Sequence, residues 1–342
     1  MVMFKNIYFV VWQLQKVIRR VVPIARVNEL SISTFHLETK YFKICKILKN
    51  KSDTNNYKKP TTGNRRIVKL YKPVLNPKTG ILWINNSIIE ESSVWPISKL
   101  LLWEPNPLIY PKFDGIVSNL PDNGYYHLII EDLPRFLQCV EYYPETSVII
   151  GSKNRYISDM LNLIKINNFY LFNSPVRCKE LILSEKNLGG IFSKLDHILL
   201  LDLAREIVPT VSKKMVFIKR KNNSKGFLDR GIQFSKTIED KFKCIGAEIV
   251  ALEDLSLSEQ IAYSKSADIL VGFHGAGLAN MVWMDKPRSI IEITETRVTN
   301  HFAQIAKVCG HSHKLLIASE LNKLSLQELK DMIFRVKKQT RV

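Results

Sequence analysis

The sequence predicts an α/β protein of two domains, each built on a parallel sheet covered by helices. Three observations predict it. From about residue 123, short apolar runs of strand length alternate with longer segments of helical periodicity, and that alternation requires crossovers between parallel strands. At 342 residues the chain has room for two ordinary α/β domains. Hydrophobic residues make up 46% of it, which suits a filled core and not a disordered chain.

Three parts follow in order: residues 1–64, 65–208 and 209–342. In the first, Phe4, Ile7, Val11, Leu14, Ile18 and Val21 recur at helical spacing, interrupted or flanked by Lys5, Lys16, Arg19 and Arg20. This reads as a basic amphipathic helix, lying either in a membrane interface or against the protein's own core. Its longest apolar run, Ile7 to Trp12, is far short of the ~20 residues a spanning helix needs, and it lacks the cleavage site of a signal peptide. Residues 48–64 are polar and Pro/Gly-punctuated, a linker or long loop. In the second part, Arg66–Tyr71 and Gly80–Asn85 are strand candidates. Then come a helix over Tyr125–Tyr142, a strand over Ser147–Gly151, a helix over Ile157–Ile166 and a strand over Lys179–Ser184. After a boundary near Pro209 a second series begins. Strands are expected at Met215–Lys219, Glu248–Leu252, Asp268–Phe273, Ser289–Thr294 and His313–Ala318. Helices are expected at Ser235–Cys244, Ser258–Ser266, from Gly277, at His301–Val308 and at Ser325–Lys337.

The net charge of +18 is unevenly placed. Residues 1–72 hold sixteen Lys and Arg against Glu29, Glu38 and Asp53, so the rest of the chain is nearly balanced. A nucleic-acid enzyme usually spreads positive charge along its groove, whereas charge at one end suits attachment to an anionic surface. A protein binding nucleic acid through this basic end is the weakest alternative, because no nucleic-acid motif accompanies it. Cys45, Cys139, Cys178, Cys244 and Cys309 are scattered, odd in number and without metal-ligand spacing, which points to a reducing compartment and away from structural zinc.

The stretch from Asp268 to Asn280 carries most of the functional signal. An apolar strand ends at Phe273, His274 follows, and Gly275, Ala276 and Gly277 make the turn into a helix. In an open parallel sheet, ligands bind beyond the carboxyl ends of the strands. Glycines there let backbone N–H groups reach phosphate oxygens, and a helix start adds partial positive charge. Taken alone, the same residues could be no more than a tight turn. They resemble, however, the HGAGL-N signature of glycosyltransferase family 61, which includes plant xylosyltransferases, protein O-GlcNAc transferases and bacterial polysaccharide enzymes. Three further blocks share that resemblance: Asn123-Gly-Tyr-Tyr-His-Leu-Ile-Ile-Glu-Asp-Leu-Pro-Arg135, Phe217-Ile-Lys-Arg-Lys221 and Ile290-Ile-Glu-Ile293. Residues 1 to about 115 match no known pattern.

The resemblance implies a GT-B fold, two Rossmann-like domains whose parallel sheets face each other across a cleft. It implies an inverting transfer from a nucleotide sugar, usually UDP-linked, to a glycan or lipid-linked glycan acceptor, with no cofactor or metal ion. No D-x-D carboxylate pair occurs in the chain, so the leaving diphosphate needs Arg, Lys, His and backbone donors. A cytoplasmic enzyme at the inner membrane face, building surface polysaccharide, fits this reading; a nucleotide-binding module that has lost its chemistry is the alternative.

By resemblance Glu131 is the candidate base, with Asp132 second. His127 and Glu131 are four apart and would share one helical face that Arg135 continues, while Pro134 would bend the helix. A solvent-facing Glu131–Arg135 pair is the simpler reading. Arg220, at the end of a strand, can grip a diphosphate bidentately. Arg230 could take a second family arginine's place, but the Asn-Glu pair expected beyond it is absent from Asp229-Arg-Gly-Ile-Gln-Phe234. Asn280 could cap the turn or touch the ligand. Glu292 could accept both ribose hydroxyls, or be a surface residue of an edge strand.

Overall fold

The structure, a computed structural model, describes residues 24–25, 38–41, 66–84, 87–89, 110–121, 124–184, 192–209, 213–220, 235–295 and 300–339. The expected amphipathic helix, the 48–64 linker, Lys221 and Arg230 lie outside the described residues. Two compact units are present. One comprises Met1–Ile157 and Ile166–Leu188, the other Ser158–Lys165 and Gly189–Val342. The division falls after Leu188 and not near Pro209, because a helix the periodicity missed, Lys194–Leu203, packs among elements of the second unit. Among the described residues, no helix is long and apolar enough to cross a membrane.

The first unit holds a ten-stranded sheet: β1 (Ile24–Ala25), β2 (Glu38–Tyr41), β3 (Arg66–Tyr71), β4 (Val74–Asn76), β5 (Ile81–Ile84), β6 (Ser87–Ile89), β7 (Lys112–Asn119), β8 (Ser147–Ile150), β9 (Phe169–Leu171) and β10 (Val176–Ser184). Its order is β1-β6-β5-β4-β10-β7-β8-β9, with β3 on β10 and β2 on β3. Residues 1–64 are therefore not wholly separate, since β1 and β2 pair into this sheet.

The sheet is mixed, which corrects the expectation of a parallel one. Only β10, β7, β8 and β9 form a continuous parallel block; β4, β5 and β6 run as an antiparallel meander, and both β3 and β4 pair antiparallel with β10. The links are the reason: β4 reaches β5 through a turn closed by Gly80 N donating to the Asn76 carbonyl at 2.8 Å, far too short for a crossover. Val68, Leu70, Leu75, Leu82, Val117, Ile149 and Leu181 form the core along these strands.

The expected helix over Tyr125–Tyr142 is split. A turn at Tyr125–His127 leads into a π-helical segment, Leu128–Asp132, and then into α1 (Leu133–Tyr142), with Pro134 in its first turn. A π segment shifts the helical register by about one residue, or ~100°, which decides the fates of the side chains on either side. Helix α2 (Arg155–Ile164) follows β8.

The second unit is a parallel α/β sheet. Its strands are β11 (Lys213–Lys219), β12 (Glu248–Ala251), β13 (Ala267–Phe273), β14 (Ser289–Thr294) and β15 (Ser312–Ile317), in the order β12-β11-β13-β14-β15. Every pair is parallel. The helices are α3 (Lys194–Leu203), α4 (Ser235–Cys244), α5 (Leu257–Ser266), α6 (His301–Cys309), α7 (Ala318–Lys323) and α8 (Leu326–Gln339). Phe217, Val271, Phe273, Ile291 and Ile293 point to one face and pack with Ile238 and Phe242 of α4 and Leu329 and Ile333 of α8. Val216, Ile218, Leu270, Gly272, Ile290 and Glu292 alternate with them on the other face, and nearly all of both sets are buried, as a doubly covered parallel sheet requires. Capping boxes fix two helix starts: Ser193 with Asp196 opens α3, and Ser256 with Glu259 opens α5.

Strand order locates the point where a ligand belongs. The chain runs from β11 outward to β12, then crosses back to β13 on the other side of β11. Order reverses between β11 and β13, and the crevice beyond the carboxyl ends of such a pair is where open α/β sheets bind ligands.

Candidate functional site

The carboxyl ends of β11 and β13 carry Arg220 and His274. The Arg220 guanidinium donates from Nη2 to the His274 carbonyl at 2.8 Å. Its Nη2 end is pressed against Gly275: a Cβ built there would sit 1.0 Å from Nη2 and 2.2 Å from Cζ. Glycine is needed because any side chain would displace the arginine. Gly277 makes a second close approach, its Cβ position 3.0 Å from Ile218 Cγ2 on β11. The expected helix from Gly277 is a 3-10 helix instead, Ala276–Trp283. It is tied down by Asn280, whose buried side chain donates to the Gly277 carbonyl at 3.0 Å, so this residue braces the turn from inside.

Behind the turn stands a buried carboxylate. Glu292, on β14, is in the middle of the sheet, not at its edge, and is 1% exposed. An isolated carboxylate at that depth would be very costly, so it must be paired. Its Oε1 bonds His274 Nδ1, and its Oε2 bonds His313 Nε2 at 2.8 Å. Burial alone would push the Glu292 pKa up; the bonds and charge from His274 and His313 overrule this and hold it below the ordinary carboxylate value. Both oxygens that could accept ribose hydroxyls are thus engaged by histidines. The His274 ring, half-buried, also meets Phe302 of α6 edge-on, with centroids 5.3 Å apart.

In the first unit, the π segment separates residues that a regular helix would align. His127 Nδ1 and Glu131 Oε1 are 3.2 Å apart and both side chains are half-buried. Arg135 leaves that stripe. It is buried, and its Nε and Nη2 donate to the Ser184 carbonyl at 2.9 and 2.7 Å, closing the end of β10. Neither the continuous stripe nor the solvent-facing Glu131–Arg135 pair is what the structure holds. Asp132 is buried beside Arg135 in a small cavity of about 30 Å³, lined also by Ser118 and Cys139.

The family model described as Glycosyltransferase 61 matches residues 125–291, just under half of the chain. Residues 125–291 are a glycosyltransferase family 61 domain. The protein is therefore a glycosyltransferase. No curated protein matches the sequence. Within the family 61 segment lie His127, Glu131, Arg220 and the whole turn from His274 to Asn280; Glu292 follows its last residue by one. The structure brings Arg220, His274, Gly275, Gly277, Asn280 and Glu292 together in the second unit, and His127 with Glu131 in the first.

Reading the sequence missed His313 and Phe302. A histidine opening a strand has no local signature, and only the pairing of Ile290 with His313 between β14 and β15 shows that it shares a face with Glu292.

Proposed function

We propose that the chain transfers a sugar from a nucleotide donor, UDP-linked, to a glycan acceptor by single displacement with inversion and without a metal ion. The observation that carries this is the set of donors at the strand-order reversal. Arg220, His274 and the backbone of the glycine turn converge where β11 and β13 end. A diphosphate leaving group develops negative charge as the glycosidic bond breaks, and fixed donors aimed at it lower the barrier without reorganising. Arg220 supplies a permanent charge, and a bidentate grip that lysine cannot copy. His274 adds a ring nitrogen that the buried Glu292 orients. Family 61 membership and the lack of a D-x-D pair support the same reading.

The acceptor hydroxyl needs a base as its oxygen attacks the anomeric carbon. In this reading Glu131 takes that proton, and His127, 3.2 Å away, orients it. Asp132 suits the role less, because it is buried inside the first unit. The acceptor is a glycan or lipid-linked glycan of a surface polysaccharide, met at the cytoplasmic membrane face.

The test uses the full chain, with UDP for binding and UDP-sugars for turnover. Glu131→Gln is expected to lower turnover by about 10²-fold or more while UDP affinity stays at the wild-type value. Unchanged turnover in that variant removes Glu131 as base. Saturable UDP binding by wild type, with no release of UDP from any UDP-sugar, would instead favour a nucleotide-binding module without chemistry.

A further inference from the structure

Glu292 is a β14 carboxylate whose two oxygens face two histidines from different elements: His274 at the end of β13 and His313 on β15. One of these rings stands at the glycine turn, and the other, 13% exposed, bonds the second oxygen of Glu292 and has no role in the function proposed above. The His274 ring meets Glu292 from β14 and Phe302 from α6, while Arg220, just after β11, bonds the His274 backbone carbonyl.

We propose that His313 is a positioning residue for donor binding, which holds Glu292 so that Glu292 holds the His274 ring. This rests on the reading that His274 meets the donor diphosphate. A carboxylate with one oxygen bound can swing about its last torsion, and a buried one that loses a donor also gains a proton more readily. With Oε2 fixed by the His313 Nε2–H, Oε1 stays aimed at the His274 Nδ1–H. That commits Nδ1 to Glu292 and makes Nε2 the nitrogen through which His274 addresses a phosphate oxygen. With Nδ1 donating to Glu292, Nε2 serves a phosphate oxygen as a donor when it too carries a proton. His313 therefore acts on the ligand through two hydrogen bonds without touching it, in the manner of outer residues that orient metal-binding histidines.

The geometry dictates a tautomer. His313 must carry its proton on Nε2 and His274 on Nδ1, and two-bond ¹⁵N–¹H imidazole spectra of the wild-type chain read both directly. His313→Leu removes the donor; His313→Gln can restore it from its amide. UDP affinity is expected to fall about tenfold in His313→Leu and to return most of the way in His313→Gln, with the His274 imidazole signal moving only in the first. Four outcomes bear on the idea. If wild-type His313 carries its proton on Nδ1 alone, the proposal is overturned whatever the variants do. If His313→Leu binds UDP as wild type does and the His274 signal does not move, it is overturned as well. If His274→Ala binds UDP as tightly as wild type, the diphosphate reading itself fails. If His274→Ala weakens binding and His313→Leu does not, only the role of His313 is lost.

Discussion

Gly275→Ala gives the most direct reading of the phosphate-binding turn, because the added methyl group strikes a single identified partner. Its Cβ would lie 1.0 Å from Arg220 Nη2, 2.2 Å from Cζ and 3.0 Å from Nε. To reach an ordinary contact of about 3.5 Å, the guanidinium must retreat by about 2.5 Å. The obstacle is the far end of a flexible side chain at a half-buried position, so it yields, while the φ of +158° at Gly275, which an L residue adopts only under strain, adds a shift of the turn itself. What it cannot do after moving is keep the 2.8 Å bond from Nη2 to the His274 carbonyl. Displaced from that anchor, the guanidinium also loses its contact to the diphosphate, and a charge-assisted contact of about 1.5–3 kcal/mol corresponds to a loss of about 10- to 100-fold in UDP affinity. Isothermal titration with UDP measures it, with a melting curve to show that the variant is folded. Arg220→Ala should lose a similar amount, and the double variant little more than either alone, since both substitutions remove one interaction. Gly277→Ala is the control: its methyl would meet Ile218 Cγ2 at 3.0 Å, a contact relieved by a shift of a few tenths of an ångström. Wild-type UDP affinity in Gly275→Ala, or strict additivity in the double variant, would refute the reasoning.

Two other outcomes are expected. Burial, reinforced by nearby Lys194, depresses the His197 and His311 pKa values to about 3 and about 4, so both stay neutral where an unfolded histidine would already be charged. Their contribution is complete above the unfolded value of about 6.5 and is lost as pH falls toward those folded values, at a cost on the order of 3 kcal/mol for each. The melting temperature should therefore drop between pH 6.5 and 4 and drop less in His311→Gln; an identical slope in both would count against this account. Arg135→Met leaves the Ser184 carbonyl without its two charged donors and is expected to destabilise the chain by about 2–4 kcal/mol in urea, with UDP affinity of the folded protein unchanged. Lost UDP affinity at wild-type stability would return Arg135 to the binding machinery.

Most of the second unit was legible along the chain. Its strands are continuous apolar runs because both faces of a parallel sheet are covered, and Gly, Ser and charged residues punctuate them, so β11 to β15 and α4, α5, α6 and α8 fall close to where periodicity puts them. The glycine turn was legible as well, since two glycines after a buried strand mark a close backbone approach. The first unit was less so. β7 is central in its sheet yet carries Asp114 and Gly115, so it lacks the apolar run by which its neighbours announce themselves. Helix α3 carries Leu199-Leu-Leu201, an apolar run that no helical period distinguishes from a strand.

What the sequence settled by itself is chemical: which groups can bear charge, where the backbone can turn tightly, and that strands and helices alternate. What only tertiary structure decided is which of those groups meet. Glu292 looked like a ribose acceptor or an exposed edge residue until β15 set His313 on one of its oxygens and β13 set His274 on the other. Arg135 looked continuous with Glu131 until a single π segment rotated it inward to Ser184. Hydrogen-bond partners hold to distances near 3 Å, and residues dozens of positions apart reach them only once sheet order and helical register are fixed.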